Sequence, residues 1–178
     1  MNKKKIINTL ETIATYLELK GENPFKISAF RKAAAALEND PRSIEEIEDV
    51  TKIKGIGKGT AAVIHDLLET GESSDLASLK EEVPAGLPLL LKIPGLGGKK
   101  IAKLYQELGV DSADSLKAAC ESGKVGELAG FGKKTVEKLL KELETFGQRS
   151  ERHPIWQLEE NVKEINAVLE TIEEIARF

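Results

Sequence analysis

The stretch KIKGIGKGTAAVI, Lys52–Ile64, places three glycines within five residues and then runs into a segment of helical composition. The pattern returns twice without gaps, as KIPGLGGKKIAKL at Lys92–Leu104 and ELAGFGKKTVEKL at Glu127–Leu139. Two glycines can adopt positive φ or let another backbone approach closely, and the apolar residue between them can fill the space between two short helices. The repeat therefore predicts three tight turns that each join two helices. We call them the first, second and third glycine turns, at residues 55–57, 95–97 and 130–132.

The helix that follows each glycine turn begins with the features of a phosphate-binding site. Its first amides have no partner within the helix and point outward at the positive end of the helix dipole. Lysines also lie in its first turn, although a cation there opposes the dipole and weakens the helix by roughly a few tenths of a kcal/mol. An external anion would account for them. The residues predicted to bind phosphate are Gly55, Gly57, Lys58, Gly59, Gly95, Gly97, Gly98, Lys99, Lys100, Gly130, Gly132, Lys133 and Lys134.

Glycine-rich turns before a helix have other interpretations. A dinucleotide-binding loop needs a strand before its glycines, whereas EEIEDVTKIKG and LPLLLKIPG favour short helices that enter a turn. A Walker A loop needs four residues between its first glycine and Gly-Lys-Ser/Thr, and none of the three copies has them. Plain turns between helices would explain one copy, but three copies with basic first turns favour binding.

Composition and charge narrow the class of protein. Of the 178 residues 40% are hydrophobic and only 4% aromatic, and β-branched runs are short, which favours an all-α fold. No apolar run approaches the roughly 20 residues of a membrane-spanning helix, and the single cysteine, Cys120, cannot form an internal disulfide. We therefore predict a cytoplasmic protein. The net charge of −4 argues against broad adhesion to nucleic acid, so a polyanion must be held locally.

Glycine and proline positions predict the helices and the domain organisation. An amphipathic helix over Lys3–Lys20 ends at Gly21, and Asn23 and Pro24 begin a second helix. The segment EEVPAGLP, Glu81–Pro88, has the composition of a linker. We predict a first small domain, residues 1–82, with the first glycine turn, a second, residues 83–150, with the other two, and a connecting helix over residues 151–178.

Two longer stretches carry a family resemblance. GENPFKISAFRKAAAALE, Gly21–Glu38, and KIPGLGGKKIAKLYQELGV, Lys92–Val110, resemble the amino-terminal region of bacterial family X DNA polymerases, which are relatives of DNA polymerase beta. The three glycine turns resemble the helix-hairpin-helix motifs of that family. The resemblance implies an eight-kilodalton domain followed by a fingers (or thumb) domain. It also implies that both hold gapped or nicked DNA by its backbone, without reading sequence, during gap-filling repair of the base-excision type.

The resemblance implies further parts of a polymerase that this sequence does not contain. They are a palm whose aspartates bind Mg²⁺ or Mn²⁺ and, in bacteria, a carboxy-terminal phosphoesterase domain rich in histidines. We therefore expect this chain to be the amino-terminal portion of a longer DNA-directed DNA polymerase, a nucleotidyltransferase, with those domains as its partners. By itself, the chain should not polymerise.

The resemblance also raises a second activity, removal of a 5'-deoxyribose phosphate through a Schiff base on a lysine. Alignment on the first glycine turn places that lysine at Val63, which cannot form the imine. Three more positions of the family's pocket are replaced here, by Gly59, Asp75 and Phe30. Lys26 matches a lysine that holds the 5'-phosphate, and Arg31 follows it on the same helix. A lyase that uses a displaced lysine such as Lys58 remains open.

Helix-hairpin-helix motifs of the family often hold a monovalent cation through backbone carbonyls of the turn. Such oxygens suit Na⁺ or K⁺. By position, the resemblance assigns the carbonyls of Thr51, Ile53, Ile56, Leu91, Ile93 and Leu96.

The end of the chain and the overall charge leave two further possibilities. Residues 155–176 place apolar side chains on one helical stripe, which would pack on a palm, be buried within this chain or pair two chains. Trp156 is interpreted as a packing anchor, since few aromatic residues accompany it. A helical scaffold that contacts protein instead of DNA is also compatible with the negative charge.

Overall fold

The computed structural model describes residues 2–150, in which every regular element is helical. The helices are α1 (Lys3–Lys20), α2 (Pro24–Asn39), α3 (Lys58–Thr70), α4 (Ser74–Glu82), α5 (Gly86–Leu90), α6 (Gly98–Leu108), α7 (Ala113–Glu121), α8 (Lys124–Glu127) and α9 (Lys133–Ser150), with 3-10 turns at Ile44–Glu46 and Val50–Lys52. The prediction of an all-α fold is confirmed for this part. The predictions for Trp156 and for the helix over 155–176 lie outside the described residues.

The helix boundaries in the first half follow from their capping residues. Asn2 accepts a hydrogen bond from the Lys4 amide at the start of α1, and Gly21 ends the helix in the left-handed region at φ 78°. Asn23 caps α2 through the Phe25 amide, and Pro24 occupies the first turn. These predicted boundaries are confirmed.

A continuous apolar core joins α1, α2 and α3. The apolar face of α1 packs on α2, and α3 closes the core from the side of the first glycine turn. Burial of these side chains is the main driving force for this part of the fold. Its fully buried members include Ile6, Leu10, Ile13, Leu17, Ala33, Leu37, Ile64 and Leu67.

The second and third glycine turns surround another set of buried side chains. Leu87, Leu90, Ile93, Ile101, Leu104, Leu116, Val125 and Phe131 are each at most 1% exposed. Cys120 is a free, buried thiol at 4% exposure, and burial raises its pKa. It is a small core residue, as the sequence predicts.

The connection between α4 and α5 is shorter than the composition of Glu81–Pro88 indicates. Helix α4 continues to Glu82 and α5 begins at Gly86, so only residues 83–85 separate them. Val83 is buried. Both prolines fit this arrangement because the start of a helix does not need their amides. The predicted domain boundary at residue 82 stays a prediction.

Helices α1 and α6 lie against each other. The side-chain amide of Gln106 on α6 donates to the Lys20 carbonyl at the end of α1 at 3.4 Å. The chain divides into compact units at residues 1–140 and 141–178, and both helices belong to the first unit. Within residues 2–150, no helix is both long enough and apolar enough to cross a bilayer.

Candidate nucleic-acid interface

The three glycine turns have the same backbone geometry. The first glycine of each turn lies at positive φ, 112° at Gly55, 89° at Gly95 and 97° at Gly130, a region that side chains disfavour. One hydrogen bond closes each turn, from the apolar residue's amide to the carbonyl three positions earlier. These bonds are Ile56 to Ile53 at 3.1 Å, Leu96 to Ile93 at 3.1 Å and Phe131 to Leu128 at 3.0 Å. The predicted repeat is therefore a structural repeat.

The apolar residue between the glycines anchors each turn in the core. Ile56, Leu96 and Phe131 are 6%, 5% and 1% exposed. Each of these side chains is buried, whereas the glycines that follow them, residues 57, 97 and 132, are exposed at the surface. Burial of this apolar side chain therefore holds the backbone of each turn in place, and side chains at the surface are not needed for it.

The second glycine is not required by this chain's own packing. Gly57 and Gly97 have φ of −95° and −101°, values that any residue adopts. A Cβ atom added at Gly57, Gly97 or Gly132 would meet no atom within 4 Å. The fold would accept a side chain at all three positions. Glycine there leaves room for something outside the chain to approach the backbone.

Helices α3 and α6 begin at these glycines, which have no side chain to cap them. Their first-turn amides therefore need an external acceptor or water. One amide at the start of α3 has a partner within the chain, because the Gly57 amide donates a hydrogen bond to the Thr60 hydroxyl at 3.1 Å. The corresponding residue is Lys100 in the second copy and Thr135 in the third.

The lysines beside the turns are accessible cations. Lys58, Lys99, Lys133 and Lys134 are exposed. In the part of the chain that the structure describes, none of them lies within 4 Å of a carboxylate. Lysines without an acidic partner, beside open helix amides, form a surface suited to phosphate.

Gly98 departs from this pattern because α1 covers it. The equivalent residues are Lys58 and Lys133, but a Cβ at Gly98 would lie 2.6 Å from the Glu18 carboxylate oxygen. Gly98 is buried. The second copy therefore carries its lysines one residue later, and Gly98, which the sequence predicts as a phosphate contact, lies against α1.

The residues predicted to hold a 5'-phosphate lie beside acidic groups. Lys26 lines a cavity of about 170 Å³ together with Asp75 and Glu82. Lys20 lines it too and donates to Glu82 at 2.7 Å, a hydrogen bond that raises the pKa of Lys20. Arg31 forms an ion pair with Glu18 at 2.7 Å. Both predicted cations thus have carboxylates beside them.

The position of the family's Schiff-base lysine is part of the apolar core. Val63 is 4% exposed and packs in the core with α1 and α2. It does not line the cavity beside Lys26. Phe30, at 6% exposure, and Asp75 do line it.

Phe25 is an exposed aromatic residue that the sequence analysis missed. It is 85% exposed, more than any other large apolar residue that the structure describes. It lies in the first turn of α2, directly before Lys26. Its exposure could have been predicted from the helical spacing of α2, because Phe25 does not belong to the set of residues that are buried on this helix, such as Ile27, Phe30 and Leu37.

The carbonyls predicted to hold a monovalent cation belong to residues just before the first glycine of the turn, Thr51, Ile53, Leu91 and Ile93, and to the apolar residue between the glycines, Ile56 or Leu96. Those of Ile53 and Ile93 already accept the turn hydrogen bonds, but a carbonyl oxygen has a second lone pair. At the second turn, the Lys100 ammonium donates to the Gly95 carbonyl at 3.2 Å and brings a competing charge.

Comparison with known proteins gives matches across the chain. Residues 1–73 match the family model of the helix-hairpin-helix domain, and residues 87–145 match that of the SAM-like helix-hairpin-helix tandem. The chain is 58% identical over all 178 residues to the DNA polymerase/3'-5' exonuclease PolX of Bacillus subtilis, of which it covers 31%. It is also 33% identical over 112 residues, 62% of the chain, to the DNA nucleotidylexotransferase of Ambystoma mexicanum, of which it covers 22%.

The chain spans less than a third of the length of both relatives. The two family matches enclose all three glycine turns, and the similarity to PolX confirms the resemblance drawn from Gly21–Glu38 and Lys92–Val110. Residues 1–73 and 87–145 of this chain are thus similar to helix-hairpin-helix domains, and the whole chain is similar to part of a DNA polymerase/3'-5' exonuclease PolX.

Proposed function

We propose that the chain is the DNA-binding portion of a family X DNA polymerase that acts in gap-filling repair. It holds the DNA backbone at its glycine turns without reading sequence. The observation that carries this proposal is the second glycine of each turn, where neither φ nor packing excludes a side chain. Three such positions, each beside exposed lysines, fit a strand whose phosphates approach the backbone closely.

Binding at these turns would use two kinds of contact. The first-turn amides donate hydrogen bonds to phosphate oxygens, and charge strengthens such bonds relative to neutral ones. The neighbouring lysines neutralise phosphates and release counterions. Neither contact touches a base edge, so affinity depends on salt and not on sequence. Titration of gapped DNA at two salt concentrations tests the proposal.

A preference for gaps would come from Phe25. Its ring is exposed on the first turn of α2. Unpaired bases in a gap can stack on an aromatic ring, whereas the bases of an intact duplex are already stacked. The Phe25 ring therefore offers an unpaired base a stacking platform that the bases of an intact duplex do not use.

Replacing Phe25 with alanine is expected to weaken binding to a gapped duplex about tenfold, because base stacking on an aromatic side chain is worth about 1–3 kcal/mol. Binding to an intact duplex should hardly change. Fluorescence anisotropy with both DNAs at one salt concentration measures the ratio. The matched control is Tyr105→Ala, which removes another exposed aromatic ring. Equal losses on the two DNAs would contradict a stacking role.

We expect no lyase activity from this chain. Val63 is apolar and buried, and of the two lysines lining the nearby cavity, Lys20 is kept protonated by Glu82, so it is a poor nucleophile. Borohydride added to the protein with a 5'-deoxyribose phosphate end should trap no adduct, while an established lyase serves as positive control. An adduct in the parent that is lost in Lys58→Ala would show that a displaced lysine acts instead.

The remaining expectations from the resemblance belong to the proposal as well. A palm with Mg²⁺ or Mn²⁺, a phosphoesterase domain and a Na⁺ or K⁺ at the first and second glycine turns stay predictions. So does pairing of two chains through residues 155–176.

A further inference from the structure

The carboxylate of Glu18 contacts both Arg31 on α2 and the start of α6. Its Oε2 atom accepts a hydrogen bond from the Arg31 guanidinium at 2.7 Å. A Cβ at Gly98, the first residue of α6, would lie 2.6 Å from the same oxygen. All three residues belong to the compact unit of residues 1–140. One anion of the protein thus lies against a cation that the sequence predicts to bind phosphate and against the helix of the second glycine turn.

The two members of this ion pair differ in how freely they can move. The Glu18 side chain is 12% exposed, whereas the Arg31 side chain is 52% exposed. Glu18 also lies in the last turn of α1 between Leu17 and Leu19, which are both buried. The carboxylate is therefore held in place, and the arginine is the partner that can leave.

The position of Glu18 is unfavourable for α1 alone. A carboxylate in the last turn of a helix lies at the negative end of the helix dipole. Two positive groups offset this cost, the Arg31 guanidinium and the positive end of the α6 dipole beside Gly98. If Arg31 binds another anion, the carboxylate still lies beside the start of α6, so the fold can tolerate the loss of the ion pair.

The second glycine turn differs from the other two at this point. The residues equivalent to Gly98 are Lys58 and Lys133, and both are exposed cations. Gly98 is buried, and the Glu18 carboxylate lies against it. An anion of the protein therefore lies beside the second turn at the position where the first and third turns carry a lysine.

The contact with Glu18 uses only part of the guanidinium. Arginine has five N–H donors, and among the described residues the Arg31 group donates only from Nη2, to Glu18. An ion pair with an exposed partner contributes little to stability. A phosphate offers the guanidinium two oxygens at once, which strengthens the contact. A DNA phosphate can therefore compete with Glu18 for Arg31.

We propose that Glu18 is an internal competitor of the DNA backbone, which keeps Arg31 paired in the free protein and releases it when a phosphate of a bound strand reaches α2. The proposal rests on the proposed function, because DNA is the incoming anion. On binding, the guanidinium exchanges the carboxylate for a phosphate, and Glu18 remains beside the start of α6. Separation of the ion pair opposes this exchange, so Glu18 lowers the affinity for DNA.

The first experiment removes the charge of Glu18 and keeps the shape of its side chain. Glu18→Gln should bind gapped DNA about fivefold more tightly than the parent at 50 mM salt and less than about twofold more tightly at 200 mM, because one added phosphate contact steepens the salt dependence by about 0.9. Fluorescence anisotropy measures both affinities. If Glu18 only joins α1 to α6, the substitution should lower the affinity or leave it unchanged. Either result would overturn the proposal.

Arg31→Gln in two backgrounds assigns the gain to the ion pair. In the parent this substitution should lower the affinity less than about twofold, because Glu18 already neutralises the guanidinium. In the Glu18→Gln background it should remove the whole gain. A gain that persists without Arg31 would be a general effect of charge, and the proposal would fail.

Glu11→Gln is the matched control. Glu11 is an exposed glutamate of the same helix, and among the described residues no lysine or arginine nitrogen lies within 4 Å of its carboxylate. The control changes the net charge by the same amount, so its affinity should stay within about twofold of that of the parent. An equal gain in this control would contradict a specific role of Glu18.

The second experiment follows the exchange without any substitution. The side-chain Nε–H signal of Arg31 is observed by NMR in the ¹⁵N-labelled parent while gapped DNA is added. We expect a saturable shift of this signal, since the guanidinium changes its partner. A signal that does not move while the DNA binds would show that Arg31 stays with Glu18, which would overturn the proposal.

The outcomes separate this proposal from the proposed function. If the parent binds gapped DNA and Glu18→Gln binds it with the same affinity, the proposed function stands and the competitor role of Glu18 fails. If neither protein binds gapped DNA, both fail.

Discussion

Replacing Lys99, Lys100, Lys133 and Lys134 with glutamate is expected to weaken binding to gapped DNA at least about a hundredfold at low salt, because each lost phosphate contact removes a released counterion. The four residues flank the second and third glycine turns, and none has a carboxylate within 4 Å in the described part of the chain. The fold should tolerate the change, since acidic residues favour the first turn of a helix. Fluorescence anisotropy measures the affinity and circular dichroism checks the fold.

A control of equal charge localises the effect. Glutamates at Lys4, Lys80, Lys117 and Lys141, all exposed and outside the glycine turns, change the net charge by the same amount. We expect the affinity of this control for gapped DNA to fall less than about tenfold, through long-range repulsion alone. Equal losses in the two variants would contradict binding at the turns. A protein scaffold would keep its partner in the first variant.

The second large effect concerns stability at Gly86. Replacing Gly86 with alanine is expected to lower the free energy of unfolding by about 3 kcal/mol, since overpacking that moves backbone costs 1–3 kcal/mol or more. The new Cβ would overlap the carbonyl oxygen of Asp111 and lie 3.5 Å from the Ser112 Cα, both backbone atoms that no rotamer change can move. Urea denaturation followed by circular dichroism measures the change.

Helix propensity alone predicts the opposite sign for this substitution, because alanine is favoured over glycine in a helix by about 1 kcal/mol. Gly59→Ala is the matched control. Gly59 lies in the first turn of α3, and a Cβ there meets nothing within 4 Å. The control should leave stability unchanged or raise it by up to about 1 kcal/mol. If Gly86→Ala unfolds at the same urea concentration as the parent, the close packing of α5 on the Asp111 backbone is wrong.

Local patterns predicted the parts of the fold that local chemistry decides. Gly21 ends α1 as its C-terminal cap, and Asn23 with Pro24 begins α2. The glycine turns could be predicted because positive φ at their first glycine and a buried apolar residue leave a sequence signal that repeats. Repetition with basic first turns also favoured binding over plain turns between helices.

Contacts between distant residues could not be predicted in this way. The ion pair that engages Arg31 comes from Glu18 on another helix, and the same Glu18 explains the glycine at position 98. Lys100 on α6 and Lys138 on α9 line one cavity, which likewise depends on how the two helices meet. The composition of Glu81–Pro88 likewise does not show that α4 and α5 extend into this segment and leave only residues 83–85 between them.

The central claim, that this chain grips the DNA backbone at its glycine turns, is tested most directly by comparing gapped and intact duplexes of the same sequence at two salt concentrations. We predict tighter binding to the gapped duplex than to the intact one. The affinity for both duplexes should fall about a hundredfold between 50 and 200 mM salt, as about four phosphate contacts require. A second, unrelated sequence should give the same affinities. Binding that is equal on both DNAs and insensitive to salt would contradict the account.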